Sequence, residues 1–282
     1  MSFAGFSQTI IGSGNKNKGE EIEAERLDLA TVRVYYHFTQ KKKASDKEVF
    51  RNDTLTLDIG PEMSRYYDEA KLIRDSIFSS VFSNINPDHI QSVTVLKGSE
   101  ADRFDSFMGD KYENDYYDGT TEQIYKNRGN GEFTIIDRAR ESYKCSDPVS
   151  TFDWNITTDT LTVLGYNCQK ANTHFRGRDY EVWFTSEIPI NDGPWKFFGL
   201  PGLILRVNDT KGLLAFESVG LQYLDNPYAI EIPKGRYIVC NRKELEKARN
   251  MRGGGMGIGI NGGNVLIVGR DKDPSFKSIE LE

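Results

Sequence analysis

The chain predicts a mainly β fold of α+β class, a curved antiparallel sheet or half-barrel with one helix packed against it. Three observations lead there. Apolar and polar residues alternate with period two in several runs, and short turns bearing Gly, Asn or Asp separate those runs. A single stretch carries the three-and-four spacing of a well-formed amphipathic helix.

Taken in order, Met1 to Gln8 form a small-and-apolar string that reads as the tail of a signal peptide without its charged start and apolar centre. Residues 12 to 25 are polar and aperiodic, so residues 1–25 are expected to be a flexible lead-in and residues 26–282 a single β-rich domain. Val32, Val34, Tyr36 and Phe38 alternate with Arg33, Tyr35 and His37 as in a half-buried strand, and Leu55, Leu57 and Ile59 repeat the pattern. Tyr66, Ala70, Ile73, Ile77 and Val81 then place one apolar face on a helix from Ser64 to Phe82. After Val93 and Val95, residues 97 to 130 turn polar, acidic and aromatic, which predicts a long surface excursion.

From Phe133 onward strands dominate: Phe133 to Tyr143, Thr160 to Phe175, Tyr180 to Thr185, Leu203 to Val207 and Leu213 to Tyr223. Gly177 and the run Asn208-Asp209-Thr210-Lys211-Gly212 break them as hairpin loops would, and short turns between consecutive strands imply an antiparallel meander. A short helix is expected at Arg242 to Asn250, with Leu245 and Ala248 on one side. The glycine-rich Arg252 to Asn264 reads as a loop leading into a last strand, Val265 to Val268.

Composition narrows function. The 282 residues are 38% hydrophobic, enough for a buried core, and the formal net charge of −6 gives no long-range attraction to nucleic acid or anionic lipid. Lys41, Lys42 and Lys43 read as a solvated hairpin loop. No stretch reaches the roughly 18 consecutive apolar residues of a membrane-spanning helix. Cys145, Cys168 and Cys240 are too few and too far apart for a zinc ribbon or a Cys-x-x-Cys pair; one disulfide and one free thiol suit an oxidising compartment, with the pairing open.

Gly257-x-Gly259-x-x-Gly262 matches a dinucleotide-binding fingerprint in letters but not in context. That chemistry needs a strand before and a helix after, and here the order is reversed, so no cofactor is expected. His37, His89 and His174 stand without the partners of a zinc motif, so no metal site is expected. Asp110, Glu113, Asp115 and Asp118 could offer oxygens to calcium or acid–base carboxylates, but they lack the EF-hand pattern, and a solvated loop explains them.

The segment Ile188 to Leu205 is the unusual one. Its Pro and Gly residues fix turns, while Trp195, Phe197, Phe198 and Leu200 carry apolar area that would be unfavourable left in water. Either it folds inward and plugs one end of the sheet, or it lines a pocket for an apolar ligand or partner. Trp183, Trp195, Phe197, Phe198 and Leu200 are therefore the candidate ligand- or partner-binding residues, and both roles stay open.

Gly193-Pro194-Trp195-Lys196-Phe197-Phe198-Gly199-Leu200-Pro201-Gly202-Leu203-Ile204 resembles the signature of the GLPGLI family of secreted Bacteroidetes proteins. Leu164 to Ala171, Phe175 to Arg178, Val182 to Thr185 and the closing Ile279-Glu280-Leu281-Glu282 are similar to that family in the same order. The family is largely uncharacterised and brings no catalytic residues. The resemblance implies export to the periplasm or outer membrane and an envelope role. The expectation is a non-enzymatic cell-envelope protein that binds a lipid or other apolar ligand, or a partner such as an outer-membrane transporter. The alternatives are a hydrolase using carboxylates of the 102 to 118 excursion and a purely structural envelope component.

Overall fold

The computed structural model describes residues 19–41, 50–83, 91–97, 119–139, 141–148, 151–251, 256–261, 264–269 and 279–280. The expected signal-peptide remnant, Lys42, Lys43, His89, the acidic cluster at Asp110 to Asp118, Gly262 and Leu281-Glu282 lie outside the described residues.

Period-two alternation builds β1 (Glu20–Ile22), β2 (Glu25–Lys41), β3 (Phe50–Ile59) and β4 (Met63–Tyr67), followed by helix α1 (Glu69–Ser83) and β5 (Ser92–Lys97). Next come β6 (Gln123–Asn127), β7 (Glu132–Arg138), β8 (Ser142–Pro148), β9 (Asn155–Val163), β10 (Tyr166–Phe175), β11 (Arg178–Thr185) and β12 (Leu203–Asp209). The chain continues with β13 (Leu214–Ile232), β14 (Gly235–Asn241), helix α2 (Arg242–Met251), β15 (Met256–Asn261) and β16 (Asn264–Gly269).

Thirteen of these strands form one curved sheet that does not close, in the order β1-β14-β8-β7-β6-β4-β3-β2-β13-β12-β11-β10-β9. Its neighbours are antiparallel except β14 and β8, which run parallel. β15, β16 and β5 make a separate three-stranded sheet. Two-residue turns with both residues at positive φ, Leu164-Gly165 and Arg176-Gly177, tie β9 to β10 and β10 to β11, the twist-matched geometry of tight hairpins.

One face of the sheet carries the main core. Val32, Val34, Tyr36 and Phe38 of β2 lie there with Leu55, Leu57 and Ile59 of β3, Phe133 and Ile135 of β7, Val182 and Phe184 of β11, and Phe216 of β13. β2 and β13 are the longest strands, and their pairing shifts register after Ser218, Tyr223 and Ile230, as bulges do where a ribbon bends. The far ends of the two strands bury Ala30, Ile230 and Ile232 with Tyr125, Ile136 and Tyr237 in a second, smaller core.

The sheet agrees with the expected fold class, but several elements differ from the sequence reading. Residues 64–67 belong to β4, where Tyr66 is buried in the sheet, and α1 starts only at Glu69 because Asp68 caps it through the Lys71 amide at 2.8 Å. The predicted apolar face of α1 is not packed: Ile73 and Ile77 are 54% and 56% exposed. The helix that buries an apolar residue in the main core is α2, through Leu245. The stretch expected as one excursion contains β6, inside the sheet between β4 and β7. Glu20–Ile22, in the expected lead-in, pairs with β14, and the glycine-rich stretch is strand β15 rather than loop from Met256 to Asn261. The run Thr160 to Phe175 is two strands, since Leu164-Gly165 turns the chain.

Candidate functional site

The segment from Ile188 to Leu203 crosses the core face of the sheet. Trp195, Phe197, Phe198 and Leu200 are all buried in the main core, Phe197 completely. The Phe197 ring meets Phe152, Phe175, Tyr180, Trp195 and Phe216 with centroids 4.9–6.5 Å apart, the separations of favourable aromatic pairs. Trp154 holds the segment from the side, its indole N–H donating to the Phe198 carbonyl at 3.0 Å.

Two glycines are there for room. A Cβ at Gly202 would stand 2.1 Å from the Thr185 carbonyl oxygen, and Gly199 sits at φ 100° with the Trp154 indole 3.1 Å from where its Cβ would be. Trp195 itself adopts φ 51°, a left-handed backbone uncommon for a bulky residue, held by the ring contacts around it.

Charges anchor the segment at two points, Asp192 and Lys196. Asp192, fully buried, pairs with fully buried Lys126 of β6 and with Arg128 at 3.1 Å, and the Lys126 ammonium also donates to the Gly193 carbonyl at 2.5 Å. Burial pushes the Lys126 ammonium below its usual range, while Asp192 opposes that shift. Lys196 pairs with Asp147 of β8 at 2.5 Å and with Glu280, and Arg176 and Arg242 close this network from Asp147 and Glu280 at 2.9 and 2.7 Å. Burial would raise the Glu280 carboxyl, but Lys196, Arg242 and Arg176 outweigh it and hold it below the usual carboxylate range. Arg178 adds a further tie to this closing segment, donating to the Ile279 carbonyl at 2.8 Å.

Two other carboxylates converge nearby, on an arginine. Arg249 of α2 pairs with Asp137 at 2.6 Å and Glu122 at 2.8 Å, which holds the end of the helix against β7. Burial raises the Glu122 carboxyl against the pull of Arg249 and Lys196. Among the described residues no group of three His, Cys, Asp or Glu side chains is placed to hold a metal ion. His174 Nδ1 lies 2.7 Å from Asp179 on the surface, and His37 lies on the β2 face opposite the core residues. Cys145 and Cys240 are directly opposed on the parallel pair β8–β14 and form a disulfide across a Cα separation of 4.7 Å, leaving Cys168 as a buried thiol.

Of the five aromatic and apolar candidates, Trp183 alone is only half-buried. It lies near the open end of the sheet, opposite Lys170 of β10, whose ammonium stands 5.9 Å from the indole ring. Lys170 also reaches Glu181 at 3.0 Å and Asp159 of β9 at 4.0 Å. β9 is the last strand, with β10 as its one neighbour among the described residues. Its sequence, Asn-Ile-Thr-Thr-Asp-Thr-Leu-Thr-Val, is β-branched at six of nine positions and mostly exposed. From the Val163–Tyr166 pair that flanks the tight turn, hydrogen-bonded and non-bonded pairs alternate, so Thr160 and Thr162 direct their backbone N–H and C=O groups away from β10.

Sequence reasoning found the aromatic segment and Trp183 but missed the ion-pair partners, which lie 49 to 84 residues from Lys196 and carry no local pattern. It missed the edge too, since a strand at an edge and one inside a sheet can share an alternation. One overlooked signal was local: Asn241-x-x-Glu244 forms a reciprocal capping box at the start of α2, with bonds of 3.1 and 2.9 Å.

A family described as a protein of unknown function (Porph_ging) matches residues 177–206, which span β11 and the aromatic segment. No curated protein matches the chain. Two crystal structures of PNGF-II, in different space groups, are similar to it in fold, with TM-scores of 0.52 and 0.50 and 14% sequence identity. Each alignment covers 82% of this chain and 35% of the PNGF-II chain, so the chain spans about a third of the length of those structures.

Proposed function

We propose that this chain is a non-enzymatic cell-envelope protein of the GLPGLI type that binds a partner protein, such as an outer-membrane transporter, at the β9 end of its sheet. The observation that carries the proposal is a long edge strand that, among the described residues, is paired on one side alone. Edge strands are usually kept short or carry Lys and Pro that discourage further pairing. The opposite edge, β1, is three residues long, whereas β9 is nine and has no Lys or Pro; its one charge, Asp159, lies in the register break between the Thr160–Gln169 and Ile156–Ala171 pairs. Trp183 on β11, separated from β9 by β10, adds an aromatic of the kind enriched at interfaces.

A partner fits these residues better than an apolar ligand does, because Trp195, Phe197, Phe198 and Leu200 are already packed against the protein's own core. The Cys145–Cys240 disulfide supports an oxidising envelope compartment. The family match over residues 177–206 falls on the same stretch as the GLPGLI resemblance. No helix among the described residues is long and apolar enough to cross a membrane.

The test compares wild type with Thr160→Pro, each purified gently from its own cell envelope and examined by native mass spectrometry. Proline there removes an outward-facing N–H and leaves the bonds to β10 intact. A co-purifying protein mass present in wild type and lost in the variant is the expected result. A lipid mass, or a bare chain in both, would overturn the proposal.

A further inference from the structure

We infer that the β9 edge takes an extended segment of a different chain carrying Lys or Arg opposite Asp159, and that it is not built to pair with a second copy of itself. This rests on the partner-binding reading above and specifies the partner's chemistry.

Asp159 is the central residue of β9 and its side chain is 63% exposed. Two copies of β9 pairing antiparallel over their full length would place Asp159 opposite Asp159 of the other copy, and like charges directly opposed across a strand pair are destabilising. Sliding the register to avoid this gives up ladder hydrogen bonds at both ends of a nine-residue strand. The chain's net charge of −6 adds a long-range repulsion between copies and an attraction for a basic partner.

Asp159 is also incompletely neutralised within its own sheet. Lys170 is shared, lying 3.0 Å from Glu181 and 4.0 Å from Asp159, so this strip of three charged groups carries one net negative charge next to the open backbone groups of Thr160 and Thr162. A strand added to β9 therefore meets donors, acceptors and an uncompensated carboxylate together. The main chain of such a strand pairs the donors and acceptors and a cation at its facing position pairs the carboxylate, with register set by the charge and affinity by the main chain, as in strand-addition complexes.

The experiment measures binding of three fluorescent peptides, each the length of β9, to the whole protein. The first alternates threonine and valine around a central lysine, the second has glutamate at the centre, and the third is the lysine peptide with every amide N-methylated. The expected result is that the lysine peptide binds, that the glutamate peptide binds roughly five-fold more weakly, that Asp159→Lys reverses this preference, and that the methylated peptide does not bind. Equal affinity for the first two peptides, unchanged by Asp159→Lys, would overturn the inferred cation while leaving strand addition standing. Failure of all three to bind, or equal binding of the methylated peptide, would remove the strand-addition site and this inference with it. Sedimentation showing a dimer that Thr160→Pro dissociates would overturn the exclusion of self-pairing.

Discussion

At the scale of single residues, the aromatic segment behaves as internal scaffold. Phe197 touches five rings and has no exposed surface, so Phe197→Ala removes both transfer energy and packing. Its expected effect is a loss of about 3–5 kcal/mol, read from a urea melt. A loss under about 1 kcal/mol would show a site that collapses around the truncation. Glu280 makes a second residue-scale prediction. Its carboxyl is held below the usual range in the folded protein, so the stability it contributes is fully present above the ordinary carboxylate pKa of about 4.3 and is lost as pH falls through the lowered folded value. Wild type should therefore lose more melting temperature between neutral and acid pH than Glu280→Gln does; parallel curves would exclude a contribution from Glu280.

At the scale of elements, the two helices exchange the importance that their sequences suggest. α1 has the better apolar spacing, yet Ile73 and Ile77 face out, whereas α2 has one deeply buried residue, Leu245, and two ion-paired arginines, Arg242 and Arg249. Leu245→Ala is expected to lower stability by about 2–5 kcal/mol, and Ile73→Lys or Ile77→Lys to change it by no more than about 0.5 kcal/mol. Thermal melts of the three variants check this ordering, and a large loss at Ile73 or Ile77 would show that α1 is packed in solution.

For the whole molecule, the parallel pair β8–β14 joins two strands far apart in sequence next to the β1 edge of the large sheet, and the disulfide fastens it across a sequence separation of 95 residues. A cross-link of that span restricts the unfolded chain strongly. The double variant Cys145→Ala, Cys240→Ala should lose about 2–5 kcal/mol, measured by denaturant melts of both proteins under non-reducing conditions. Equal midpoints would mean that pairing of β14 with β1 and β8 suffices without the covalent tie.

By itself the sequence determined the strand-rich class, the alternating faces of β2 and β3, the tight turn at Gly177 and the burial pressure on the aromatic segment. These are local properties: side-chain period, φ preference and apolar area are written within a few residues of one another. The tertiary structure alone decided that β13 lies between β2 and β12, that Cys145 faces Cys240, that Lys196 meets Asp147 and Glu280, and that Trp183 stays half-open while Phe197 is sealed. Each depends on segments tens of residues apart meeting in a particular register, and periodicity states which face a residue takes without stating what it will face. For the same reason β9 could be read as a strand, but its place at the edge followed only from the order of the sheet.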